Sequence, residues 1–440
     1  MKLRYAVVLA FLLMMIFAPM FGQTPAPAPS RVAAATPSAP ATQTTVYTLP
    51  PDKLAKSKAL YDIRGTLRIV GTVLSFVILL AILYFGVVAR YRDWAEKISR
   101  IGFVQALIVI PLLVLTLDIL GLPLGAYEHG ISRQYGLSVQ GWGSWFGDVL
   151  KGEIVTLILA VILLGLLVWR IRRSPRWWWL QIWLIALPIL FFVIMISPYV
   201  IDPMFNKFEP LDKTNPELVQ QIERVTARGG LHIPRDRMFL MKASEKVTTL
   251  NAYVTGFGPS KRVVVWDTTI QNATTPETLF VFGHEMGHYV LNHVVIGLCT
   301  AAVGLFIGLF LVYQLSGWFL NKFGARWRIR ALGDWAALPM IFLIFSILGF
   351  IAQPITATVG RQIEHNADIY GLEVTQGINA NAQESAAHAF QVLGELSLSY
   401  PYPNPLVVFW YYDHPSIPDR VRFAHQYDPW AKGEQPKYVK

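Results

Sequence analysis

Several stretches of this chain are too long and too apolar to be anything but membrane-spanning. Residues 69–89, 177–201, 294–320 and 335–360 contain no Asp, Glu, Lys or Arg. At 1.5 Å per residue each crosses roughly 30 Å of hydrocarbon as a helix. Residues 103–124 form a fifth run despite Asp118 and Pro111, and residues 154–169 a shorter sixth. Within lipid only helices or closed barrels satisfy the backbone, so a bundle of six spanning helices follows. The composition agrees. Of 440 residues, 54% are hydrophobic and 15% charged, against about 25% charged in soluble domains. This excludes an ordinary cytosolic enzyme and a disordered chain.

The net charge of +10 would suit a nucleic-acid binder, but the basic residues sit in short clusters beside the apolar runs. Arg90, Arg92, Lys97 and Arg100 form one. Arg170, Arg172, Arg173 and Arg176 form a second, and Lys322, Arg326, Arg328 and Arg330 a third. They alternate with the helices so as to share one face, which the positive-inside rule makes cytoplasmic. Residues 202–293 and the C-terminal region are then expected on the opposite face. Trp177–Trp179 read as an interfacial belt. Cys299, the one cysteine, excludes a disulfide framework and reads as a packing residue.

Residues 1–23 have a basic start, an apolar core and small residues after it. They read as a signal peptide or as a first membrane helix. Residues 24–48, rich in Ala, Pro, Ser and Thr, read as a tether that builds no core. The remaining divisions are an N-terminal membrane domain (49–201), a catalytic region (202–293), two membrane helices (294–360) and a C-terminal catalytic region (361–440). Within 202–293, residues 215–229 show helical periodicity with a Gly-Gly stop. Residues 247–257 and 261–267 flank Gly258-Pro259-Ser260 as a hairpin. Thr275-Pro276-Glu277 opens a helix, with Thr275 expected at its cap.

That helix carries His284-Glu285-Met286-Gly287-His288. Histidines four apart lie on one helical face, one turn from each other, and reach a single ion. Glu285 beside them meets a water on that ion. This is the zinc metalloprotease arrangement. A catalytic zinc needs a third protein ligand and an open position. The candidates are His293, Glu364, His365, His414 and more distant groups, although His293, five residues past His288, points off the ligand face and suits a helix end better. In Gln362–Tyr370 the acids Glu364 and Asp368 share a helical face, so one carboxylate suits ligation and the other suits orienting a ligand histidine. Asp118, an acid inside a membrane run, is expected to face the bundle interior.

Asn251-Ala252-Tyr253, the hairpin, the HEMGH helix and Glu364-x-x-x-Asp368, interleaved with membrane helices, together resemble the type I CAAX prenyl protease family. HtpX proteases share the core motifs. The resemblance extends from about residue 48 to residue 427. It implies a mainly α fold, a ring of seven membrane helices around a water-filled chamber with a zincin-like metallopeptidase domain. It implies one Zn2+ held by His284, His288 and Glu364, with Asp368 behind a ligand histidine. Asn251, Ala252 and Tyr253 would pair with the substrate backbone. His414, in His414-Pro415, would stabilise the tetrahedral intermediate, and Arg420 would pair with an acid near the site. The partners implied are a peptide or protein substrate, prenylated in that family, and the lipid bilayer; no nucleic acid is expected. The chain departs from the family in its cleavable-looking leader and its tether. Its charge pattern also places the site outside, whereas eukaryotic members present theirs to the cytosol. Membrane-protein quality control, as in HtpX, is the nearest other role. A transporter with a structural zinc is the rival from another class, and it leaves Glu285 without purpose.

Overall fold

The computed structural model describes residues 47–256 and 261–439. The leader expected at 1–23 lies outside them, as does the tether at 24–48 except its last two residues. Tyr47 is no tether: it is buried, and its hydroxyl donates to the Ser399 carbonyl at 3.0 Å.

The chain is mainly helical, and its described residues contain six helices long and apolar enough to cross a membrane. The first is α1 (Pro51–Tyr84). Gly86, at φ +59°, breaks the apolar run before α2 (Val87–Ile98). Then come α3 (Gly102–Gln134), α4 (Trp142–Arg173) and α5 (Trp178–Phe205). Their inner faces bury Ile110, Leu113, Leu164 and Trp178, while Ile69, Phe103, Ile158 and Phe192 stay exposed. Apolar exposure on that scale belongs in hydrocarbon.

Two expectations about the polar ends change. The basic stretch at 90–100 is mostly the amphipathic α2 rather than a loop, because Arg92 and Ala95 are buried on one face. Arg92 pairs with Asp93 and with the buried Asp334, and Arg330 pairs with Glu96. Several cationic groups of this face are therefore structural ties. Of the three tryptophans, Trp177 is exposed, but Trp178 and Trp179 are buried, Trp179 against Phe306 and Phe310. Indole area is worth more inside the bundle than at its rim.

A small sheet follows. Strands β1 (Phe208–Pro210), β2 (Met238–Met241), β3 (Ala252–Thr255) and β4 (Arg262–Trp266) lie in the order β1-β2-β4-β3. β3 and β4 are antiparallel with Tyr253 opposite Val264. This is the expected hairpin with shorter strands; Gly258-Pro259-Ser260 lies outside the described residues. Val247 instead bridges to Ser138. Helices α6 (Leu211–Thr214), α7 (Pro216–Arg228) and α8 (Asp267–Asn272) surround the sheet. The Gly-Gly stop ends α7, with Gly230 at φ +69°.

Helix α9 (Thr275–Val290) is capped by Thr274, not Thr275. The Glu277 carboxylate accepts from the Thr274 amide at 2.9 Å, which closes a capping box one residue earlier. Two long helices come next, α10 (His293–Phe323) and α11 (Leu338–Thr375). Cys299 is exposed on α10 rather than packed inside. No break falls near residue 360: α11 continues from the membrane through Glu364 and Asp368. Helices α12 (Ala382–Leu396), α13 (Pro405–Tyr411) and α14 (Ile417–Gln426) complete the C-terminal part.

Glycines let α9 and α11 approach closely. A Cβ on Gly283 would lie 2.8 Å from Val374 Cγ1, and one on Gly287 would lie 3.0 Å from Tyr370 Cβ. A Cβ on Gly371 would lie 2.9 Å from the His284 amide nitrogen. Small residues spaced four apart give this kind of crossing. Gly371→Ala forces backbone apart, so destabilisation by about 1–3 kcal/mol is expected. Thermal unfolding in detergent measures it; an unchanged midpoint would mean that the crossing has slack.

Candidate active site

The close crossing brings two sequence-distant stripes together. On α9, His284 and His288 sit one turn apart. On α11, Gly360, Glu364, Asp368 and Gly371 follow at helical spacing along one face. Donor atoms of His284, His288 and Glu364 all lie within 4.8 Å of one another. His284 Nε2 and His288 Nε2 are 3.1 Å apart. Glu364 Oε2 is 3.2 Å from His284 Nε2, and Oε1 is 3.5 Å from His288 Nε2. Glu364 Oε2 is buried without a hydrogen-bond partner. Two imidazole nitrogens and an unsatisfied carboxylate oxygen facing one point make a donor set suited to a divalent metal, zinc above all.

The other third-ligand candidates stand outside this donor set. His365 packs its ring against Phe423 at 4.6 Å. His414 contributes Nε2 at 3.2 Å from Glu364 Oε2 while Nδ1 meets Asp413 Oδ1 at 2.8 Å. A Cβ on Gly360 would lie 2.9 Å from the Asp413 carbonyl, so that glycine admits the His414 loop. His293 begins α10, buried, with Nδ1 at 3.2 Å from His288 Nδ1. Its spacing, five residues past His288, sets it off the ligand face at a helix end, which is where it stands. The αL turn at Asn292, φ +56°, folds it back onto α9. A histidine five residues after HExxH followed by a helix restart was the available signal.

Each ligand-face histidine therefore has an orienting partner behind it. His284 Nδ1 is 2.8 Å from Asp368 Oδ1. Asp368 in turn accepts two hydrogen bonds from Arg420, at 3.0 Å from Nε and 2.6 Å from Nη2. The Arg420 guanidinium lies 4.2 Å from the Phe390 ring centroid. A buried carboxylate needs such a partner. Burial works against protonating His284, but the hydrogen bond to Asp368 and the Glu364 carboxylate beside the ring outweigh it and carry its pKa to about 10. Metal ligation requires the neutral ring, so binding there releases a proton and weakens as pH falls.

Glu285 is largely enclosed, and burial pushes its carboxyl above the usual carboxylate range, against the pull of His288 and His284. Burial lowers the pKa of His414, but the charges of Glu364 and Asp413 prevail and raise it. An acid with raised pKa beside an imidazolium is an acid–base arrangement. β3 is the edge strand of the sheet and packs against α9, leaving the backbone groups of Ala252 on an unpaired side among the described residues while those of Tyr253 face β4. The Asn251 carbonyl is engaged by Thr269 and Trp266, while its Nδ2 is buried without a partner.

Comparison with known proteins bears on this geometry. Residues 212–428 match the model of peptidase family M48, and residues 31–207 match the CAAX prenyl protease N-terminal region of five membrane helices. An uncharacterized metalloprotease of Bacillus subtilis, YhfN, is 33% identical over 86% of this chain and 86% of its own length. The chain belongs to peptidase family M48. CAAX prenyl protease 1 of Saccharomyces cerevisiae is 27% identical over 72% of this chain and 71% of its length. The crystal structure of S. mikatae Ste24p shares the fold, with a TM-score of 0.75 at 22% identity, covering 88% of this chain and 92% of that one. This M48 peptidase is a multi-pass membrane metalloendopeptidase of a zinc-dependent family.

If His293 and Asp368 orient the two imidazoles, replacing either weakens metal binding without removing a ligand. His293→Ala and Asp368→Ala are each expected to lose roughly 10–100-fold in zinc affinity. Chelator competition reads this directly; wild-type affinity in both variants would refute the orienting role.

Proposed function

We propose that this M48 peptidase cleaves membrane-attached peptides, with His284, His288 and Glu364 holding one zinc ion. The observation that carries the substrate class is α11. Glu364 lies on the same uninterrupted helix as the last membrane span, so the scissile bond must come to the membrane surface. A lipid-modified peptide is already there. The name of the yeast relative specifies a CAAX prenyl substrate, and a prenylated cysteine near a peptide C-terminus is the form proposed here.

Zinc in this site would polarise the scissile carbonyl and lower the pKa of an attacking water toward neutrality. The peptide backbone aligns along β3, whose outer edge offers the N–H and C=O of Ala252, while the neighbouring Tyr253 pairs inward with β4 and lends only its side chain. Asn251 Nδ2 supplies a further donor. Glu285 takes a proton from the attacking water and returns it to the leaving amine nitrogen. His414, held protonated by Glu364 and Asp413, donates toward the carbonyl oxygen as negative charge develops. Arg420 and Asp368 keep His284 in the tautomer that presents Nε2 forward.

The two raised pKa values set the pH profile. Glu285 loses its role as pH falls through a pKa above about 4.3, the ordinary value for Glu. His414 loses its role as pH rises through a pKa above about 6.5. Turnover should therefore be bell-shaped, and His414→Gln should lose the alkaline limb together with about 10²–10³ in kcat. An unchanged alkaline limb would remove His414 from this role.

Glu285→Ala should keep its zinc and lose turnover, whereas His284→Ala should lose both. Quenched peptides matched except for a farnesylated cysteine test the substrate. Cleavage that depends on Glu285 and prefers the farnesylated peptide is expected. Equal cleavage of both would keep the hydrolytic chemistry and shift the function to general membrane proteolysis.

A further inference from the structure

We propose that a cleft between α1 and the segment 397–412 binds the headgroup of an anionic phospholipid through Arg64 and Arg68. The cleft is open-mouthed, with about 40 Å³ of space for the centres of water-sized molecules, and both arginines line it with Tyr61, Ser399, Tyr400 and Tyr412.

The two arginines lie four apart on one face of α1, a spacing that sets like charges against each other. Arg68 is the like charge that Arg64 feels most, and Glu128 the acid it feels. Among the described residues neither guanidinium has a carboxylate within ion-pair distance. By contrast Lys53 and Lys58, on the turns before, are paired with Glu395 and Asp62. Arg68 instead lies over the rings of Tyr411 and Tyr412, at 5.7 and 5.6 Å. The rings of Tyr61 and Tyr400 lie beside it, 5.2 Å apart and tilted by 35°. Two half-buried forks without an anion, walled by aromatic rings and serine, make a receptor for phosphate oxygens.

Depth identifies where that phosphate comes from. Arg68 is the last charge before the uncharged run that begins at Ile69, and Ile69, Val70 and Val73 are exposed. The facing segment exposes Tyr402 (68%), Leu406 (75%) and Phe409 (49%). The cleft therefore opens where apolar surface begins on both of its walls, which is headgroup level in a bilayer. Two cationic groups favour a headgroup of net negative charge.

The cleft also touches the catalytic loop. Arg361, one turn before Glu364, donates to the carbonyls of Val408 and Tyr412, and His414 follows two residues on. A headgroup held by Tyr412 and Arg68 would brace that loop from the membrane side.

The test uses the full chain in nanodiscs of phosphatidylcholine with phosphatidylglycerol, and native mass spectrometry of the lipid retained. Wild type should retain phosphatidylglycerol in preference to phosphatidylcholine. Arg64→Gln/Arg68→Gln should lose roughly thirtyfold in that affinity, the effect of two basic groups near an anionic surface. Arg64→Lys/Arg68→Lys should fall between. Equal retention by wild type and the Gln variant overturns the proposal. Displacement of the lipid by millimolar inorganic phosphate overturns it in favour of a free-phosphate site. Displacement by a peptide with a free C-terminal carboxylate, but not by its amide, overturns it in favour of a substrate terminus. If the Gln variant does not fold, competition on wild type by short-chain phosphatidylglycerol against short-chain phosphatidylcholine decides: no preference overturns the proposal.

Discussion

The crossing of α9 and α11 is the constraint on which this molecule depends. Three glycines remove the Cβ atoms that would hold the helices apart, and the backbones meet beside His284. Only at that separation does a carboxylate from one helix reach the two imidazoles of the other. A larger spacing would leave Glu364 short of His284 and would leave Asp368 buried without its imidazole partner. The glycine inside HEMGH is thus as necessary to the arrangement as the histidines, although it bears no chemistry.

Charge is organised around that contact in layers. The donor cluster faces inward, Asp368 and His293 stand behind the imidazoles, and Arg420 stands behind Asp368 over the Phe390 ring. Each buried charge is answered by the next, which is the condition for keeping ionised groups out of water. Two groups are left over: Glu364 Oε2, which faces the donor cluster, and Glu285. The Glu285 carboxylate is enclosed without a hydrogen bond to another described residue, and burial raises its proton affinity. A carboxylate tied to its neighbours only by the nearby imidazoles and by no hydrogen bond is one free to exchange a proton.

The membrane spans were legible because a period is not needed to read them: length and the lack of charge suffice. HEMGH was legible because its spacing is local. Glu364 was one candidate among several until resemblance singled it out, since eighty residues and a membrane hairpin separate it from His284. Nothing local encodes that return. The cap of α9 was misplaced by one residue because Thr274 and Thr275 are equivalent in sequence, and only the reach of Glu277 distinguishes them. Trp178 and Trp179 read as interfacial because position in the chain shows nothing about which way an indole turns. Arg64 and Arg68 were not singled out at all, because a cationic pair on a helix becomes informative only when its missing counter-ions are seen.

Helix α11 has 38 residues, so as a helix it is about 57 Å long. Its membrane part is the most enclosed of the six described spans, so its tilt is set by the helices packed around it. A rotation of only about 5° over that length sweeps its far end through about 5 Å, more than the spread of the donor atoms. The glycine interlock turns this from a hazard into rigid-body motion. α9 rides on α11, so the imidazoles travel with the carboxylate. A change in the tilt of α11 would therefore carry the whole centre as a unit and leave its internal distances alone.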